Sequence, residues 1–151
     1  MVASARVRVR YAETDCMKVV YYSNYLVYFE VGRVEYLRRQ GRPISAVDRE
    51  VHMPVVEAHV RFLRPARLDD LLEVRCWVSE RKRASFRFDY EILGEGGDPV
   101  ATGWTVHACW DPATGRLVPL PPWLRDILPV VDPRAEPAVY NRPSAPARGG
   151  A

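Results

Sequence analysis

The sequence predicts an α+β domain, a curved antiparallel sheet wrapped around one long central helix. Five stretches alternate apolar and polar residues with the period of a half-buried strand. A single stretch of about 17 residues carries its apolar residues at helical spacing instead. The connections between the later alternating stretches are short, which requires antiparallel pairing.

The first strand is Arg6 to Tyr11, strictly basic and apolar in turn, and Glu13 to Lys18 then breaks the period as a loop. From Ser23 or Asn24 the helix begins, with Leu26, Phe29, Glu30, Arg33 and Leu37 on one face. Either Ser23 or Asn24 can cap its first amides, and Gly41 is placed to end it. Gly32 in its middle costs up to about 1 kcal/mol against alanine, which points to close packing there. Pro43 opens a short helical segment, Ile44 to Arg49. Four strands follow. Their apolar sets are Val56–Ala58–Val60–Phe62, Leu72–Val74–Cys76–Val78, Phe86–Phe88–Tyr90–Ile92, and Val100–Thr102–Trp104–Val106–Ala108–Trp110. Gly94 to Asp98 is a hairpin turn, and Trp123 to Leu128 a last helical turn or two. Residues 1–131 form the domain. Residues 132–151, rich in Pro, Ala, Arg and Gly, read as a flexible tail.

At 151 residues the chain has the length of one domain, and 48% hydrophobic with 27% charged residues excludes the disordered class. No apolar run approaches the roughly 18 residues that span a bilayer, and Arg6, Arg8 and Arg10 precede any signal-like stretch. A cytoplasmic protein with no membrane span is expected. Cys16, Cys76 and Cys109 are odd in number and lack C-x-x-C spacing, which argues against a disulfide framework or structural zinc. A net charge of +3 is too small for a dedicated nucleic-acid binder. His52, His59 and His107 lack metal-ligand spacing, so no metal site is expected.

Asp15 is the most informative polar residue. It precedes the apolar wall Val19-Val20-Tyr21-Tyr22, where a carboxylate would be partly desolvated and more basic. The amides of Tyr22 to Asn24 would open the helix, where unpaired N–H groups and the positive dipole end can hold an oxyanion. A carboxylate beside a helix N-terminus is a minimal acyl-transfer site; alternatively, Asp15 closes a turn.

Tyr11-x-Glu13-Thr14-Asp15, then Val19 to Tyr25, Phe29-Glu30 and Arg33-x-Glu35 resemble the N-terminal signature of the 4-hydroxybenzoyl-CoA thioesterase family of hotdog-fold acyl-CoA thioesterases. Pro65-Ala66-Arg67-Leu68-Asp69-Asp70 before a long strand is similar as well. The likeness runs from about Arg6 to Leu128. It implies a hotdog fold and hydrolysis of an acyl-CoA to a carboxylic acid and free CoA. Asp15 would be nucleophile or general base, the Tyr22 backbone amide the oxyanion donor, and Glu30 a residue on the acyl side. It further implies a homodimer or homotetramer with sites at the dimer interface, and no cofactor beyond the CoA of the substrate. The basic turn Arg81-Lys82-Arg83, followed by Ser85, would face the CoA phosphates, with Arg61 and Arg64 as weaker candidates. Trp77 is a candidate oligomer contact. Lys18 stands where the family usually has glycine, and Tyr22 where its short-chain members usually have histidine. Two rivals are a hotdog acyl thioester dehydratase and a non-catalytic acyl-CoA-binding or scaffold protein. The dehydratase wants a histidine beside the carboxylate, and the Asp15 segment has none.

Overall fold

The computed structural model describes residues 1–135. The expected tail begins inside that range, and its residues 136–151 lie outside the described residues. Along the chain run β1 (Ala3–Arg8), a 3-10 turn (Tyr11–Glu13), α1 (Asn24–Arg39), α2 (Ile44–Val47), β2 (Val55–Phe62), β3 (Leu71–Arg81), β4 (Ser85–Leu93) and β5 (Pro99–Ala108). A small hairpin of β6 (Trp110–Asp111) and β7 (Arg116–Leu117), which the sequence reading missed, precedes α3 (Pro122–Ile127). The five longer strands form one antiparallel sheet in the order β1-β3-β4-β5-β2. No helix among the described residues is long and apolar enough to cross a membrane.

The 16-residue α1 lies on one face of this sheet and buries Tyr25, Tyr28, Phe29, Gly32, Tyr36 and Leu37. Against them β3 turns Leu72, Val74, Cys76 and Val78, and β4 turns Phe86, Phe88, Tyr90 and Ile92, all buried. These two alternations are the ones expected. Each such side chain contributes about 1.5–3 kcal/mol by leaving water. Phe29 stacks on Tyr90 with centroids 4.3 Å apart. Gly32 permits the approach, because a Cβ there would stand 2.9 Å from Val74 Cγ1. Gly41, with φ of 74°, closes the helix: its N–H donates to Arg38 O, and Arg42 N–H donates to Leu37 O.

Three expectations need correction. β1 spans Ala3–Arg8, so Tyr11 belongs to the 3-10 turn. β5 faces the other way from its bulky apolar set. Ala101, Thr105 and His107 are buried on the helix side, while Thr102, Trp104 and Val106 are half-buried on the outer face. A Cβ at Gly103 would lie 2.1 Å from His59 O and 2.7 Å from Phe29, so this strand gives the core its small and polar residues. β2 is the third case. Its alternation does not bury an apolar face: Val55, Val56 and Phe62 are exposed, because β2 is an edge strand, as β1 is on the other side, and α1 packs mainly over β1 and β3.

Within the core His107 accounts for its polar atoms. Nε2 is 2.8 Å from Thr105 Oγ1, Nδ1 is 3.1 Å from Met53 O, and Thr105 Oγ1 is 2.8 Å from Tyr90 Oη. Burial pushes its pKa down to about 4.

Candidate functional site

Between β1 and α1 the chain forms a strap that crosses the start of the helix. Thr14 bridges Val20, Val19 bridges Arg67, and Val20 N–H donates to Ala66 O at 2.8 Å. Inside the strap Asp15 N–H donates to Val19 O, and Lys18 N–H donates to Asp15 O, each at 2.9 Å. Lys18 takes φ of 61°, the left-handed conformation that favours glycine. This geometry accounts for the glycine expected at that position.

Asp15 is half-buried, and its Oδ1 accepts Met17 N–H at 2.8 Å. It therefore closes a turn with one oxygen, and a carboxylate has a second. Its side chain borders two recesses. One, of about 450 Å³, has the expected apolar wall of Val19, Val20, Tyr21 and Tyr22, with Tyr25 and Phe62. The other, of about 640 Å³, is lined by Tyr11, Thr14, Asp15, Cys16, Lys18 and Leu68. Neither contains a histidine.

The helix start faces the first recess. Asn24, Tyr25 and Leu26 donate to Tyr21, Tyr22 and Ser23 carbonyls, respectively. The N–H groups of Tyr22 and Ser23 meet no backbone acceptor among the described residues. Ser23 occupies the cap position without a side-chain cap bond, and the Asn24 amide turns back to Glu13 O at 3.0 Å. Neither residue caps as expected.

Glu13 is the residue that sequence reasoning passed over. It is only 5% exposed. Its Oε1 accepts Arg10 N–H at 2.8 Å and the Tyr28 hydroxyl at 3.0 Å, while Oε2 accepts Arg10 Nη2 at 3.1 Å. Its carbonyl accepts Tyr21 N–H at 2.9 Å as well as the Asn24 amide. Burial alone would raise its carboxyl pKa, but the Arg10 amide, the Arg10 guanidinium and the Tyr28 hydroxyl together hold it below the ordinary glutamate value. Glu13 and Asp15 look alike in sequence, and the positions of Arg10 and of Tyr28, one helical turn beyond Asn24, separate their environments.

The other expected residues lie elsewhere on the protomer. Glu30 is exposed on α1, 3.7 Å from Arg33, and borders a recess of about 300 Å³ with His107, Met53 and Phe88. The basic turn is at the far end of the sheet: β3 leaves the Asp15 end at Leu71 and reaches Arg81 ten steps later, about 33 Å away at 3.3 Å per residue. Arg81 Nη1 donates to Arg125 O at 2.6 Å and Leu128 O at 3.2 Å, so it holds α3 in place. Lys82 pairs with Glu80 at 3.4 Å, and Arg83 is exposed. Backbone bonds fix the turn: Lys82 N–H to Ser85 O, Cys109 N–H to Ala84 O, and Leu120 N–H to Arg83 O. Arg64 pairs with Asp98 at 2.9 Å, and Arg61 lies on the outer sheet face with Trp77, His59 and Trp104.

Residues 9–128 match the sequence profile of the thioesterase-like superfamily. The chain is 31% identical over 123 residues to 1,4-dihydroxy-2-naphthoyl-CoA hydrolase of Thermosynechococcus vestitus, covering 78% of this chain and 84% of that one. It is 31% identical over 116 residues to acyl-CoA thioester hydrolase YbgC of Escherichia coli O6:H1, covering 76% and 87%. The solved structure of the hypothetical protein TT1821 from Thermus thermophilus superposes with a TM-score of 0.79 at 38% identity, covering 83% of this chain and 96% of that one.

Proposed function

The chain belongs to the thioesterase-like superfamily and is a thioester hydrolase, and we propose that it cleaves an acyl-CoA at Asp15 and the start of α1. The observation that carries this reading is one apolar recess shared by Asp15 and Tyr22, whose N–H lacks a backbone acceptor among the described residues. In this mechanism Asp15 attacks the thioester carbonyl carbon directly, or takes the proton of the water that attacks it. The oxyanion that forms accepts the Tyr22 N–H at the positive end of the helix. Collapse breaks the C–S bond and the CoA thiolate leaves. In the general-base route the acid forms at once and Asp15 returns its proton to the thiolate. After direct attack the acyl group is left on Asp15 as an anhydride, and the thiolate takes its proton from solvent. A water then cleaves the anhydride to release the acid and restore the carboxylate. Coenzyme A is thus part of the substrate, and no other cofactor takes part. We place this reaction in the cytoplasm.

The functional unit in this reading is a homodimer joined along the free β2 edges, or a tetramer of two such dimers. The hotdog arrangement, one sheet wrapped around one long central helix, belongs to the same reading. Antiparallel pairing of two β2 strands reverses the partner's sheet. Its basic turn then comes to the end where Asp15 sits, so that Lys82 and Arg83 meet the CoA phosphates across the interface. Arg81, engaged with α3, acts there by holding the turn, and Ser85 by fixing its backbone. By the same reversal Glu30 of one protomer borders the acyl side of the partner's site.

The test is thiol release from acetyl-, palmitoyl- and benzoyl-CoA by wild type and Asp15→Asn. The substitution keeps the size and removes the charge. Turnover should fall by at least about 10²-fold with the fold intact; a rate within threefold of wild type would end the proposed mechanism.

A further inference from the structure

The distance between the Asp15 carboxylate and the Tyr22 amide is the quantity on which the proposed chemistry depends, and Asp15 and Tyr22 sit on different segments. One belongs to the strap and the other to the approach to α1. Glu13 grips both sides of that gap. Two residues before Asp15, its carboxylate takes the Tyr28 hydroxyl of α1 at 3.0 Å. Its carbonyl takes Tyr21 N–H at 2.9 Å, immediately ahead of Tyr22, and the Asn24 side chain at 3.0 Å. Arg10, at the other end of the 3-10 turn, closes the carboxylate from the β1 side through its amide and guanidinium. Hydrogen bonds to a charged group are roughly twice as strong as neutral ones, and this carboxylate is buried, so this is a stiff joint.

We propose that Glu13 is a positioning residue for the hydrolysis, setting the separation of the Asp15 carboxylate from the Tyr22 amide through Tyr28 on one side and Tyr21 and Asn24 on the other. This rests on the reading of Asp15 as the acting carboxylate. Glu13 is buried and faces the protein interior, so it contacts no substrate; its effect passes through Asp15. Misplacing a reacting group by about 1 Å can cost on the order of 10²-fold in rate.

The experiment uses the full chain and the member of the acetyl-, palmitoyl- and benzoyl-CoA panel that turns over fastest. Tyr28→Phe removes one hydroxyl from the clamp and keeps the ring packed against Tyr25. Its kcat should fall about 10- to 100-fold, with KM within threefold and unchanged far-UV circular dichroism. Glu13→Gln keeps an acceptor oxygen for the Arg10 amide and Tyr28, so it should retain more activity than Glu13→Ala. In an Asp15→Asn background, Tyr28→Phe should cost less than threefold more, because no acting carboxylate is left to misplace. If Asp15→Asn is inactive but Tyr28→Phe matches wild type, or if the two losses multiply, the clamp is overturned and the Asp15 reading stands. If Asp15→Asn itself retains wild-type turnover, the site reading falls and the clamp with it.

Discussion

Lys18 holds a left-handed backbone with a side chain that makes it costly, about 1 kcal/mol or more for a residue other than glycine. The strap needs that conformation because Lys18 N–H must turn back to Asp15 O. Lys18→Gly should therefore leave the unfolding midpoint close to wild type, since relief of strain offsets the extra freedom of the unfolded chain. Lys18→Val, β-branched at the same φ, should destabilise by about 1–3 kcal/mol. Urea unfolding of both variants checks this; equal midpoints for Val and Gly would show that the strap has another geometry in solution. The surroundings of Asp15 were legible in the sequence, because the apolar run Val19 to Tyr22 that follows it lines the recess it borders. Those of Glu13 were not, because its burial comes from Tyr28 and Arg10 closing over it in three dimensions.

β3 and β4 were legible as elements because large apolar residues mark the helix-facing side of both without a break. β5 was misread for a physical reason. The core beneath Phe29 has room only for Gly103, and its neighbours Thr105 and His107 are polar residues satisfied by one another and by Tyr90 and Met53 O. A sequence pattern scores such positions as outward-facing. The buried histidine makes a prediction about stability. Its folded pKa, about 4, lies below the ordinary value of 6.5, so its neutral form contributes stability fully present above pH 6.5. That contribution is lost as the pH falls from 6.5 toward 4, at about 1.4 kcal/mol per pH unit within the window. His107→Gln should be less stable at pH 7 yet flatter between pH 6.5 and 5, a range above the titration of Glu13. Parallel curves for the two proteins would mean that His107 is charged or solvated in the folded state.

At the scale of the whole molecule, one protomer carries an open β2 edge and separates its candidate carboxylate from its basic turn by the length of the sheet. These two features underlie the proposed β2 pairing, which can be tested by subunit mixing. Homodimers of Asp15→Asn should be inactive, and homodimers of Lys82→Ala/Arg83→Ala should be slow below KM. In mixed dimers one site receives both wild-type parts, so co-refolded protein should exceed the average of the two parents. No gain on mixing, or a monomer by light scattering at micromolar protein, would count against a site shared across β2. The stapled turn has a kinetic consequence for any anionic ligand that lands on it. Its carbonyls at Lys82, Arg83 and Ala84 are already taken by Arg125, Leu120 and Cys109. The loop is thus ordered when the chain folds and has little backbone entropy to lose on encounter. Capture then becomes a diffusion problem governed by long-range attraction, and ionic strength should alter the association rate far more than the residence time.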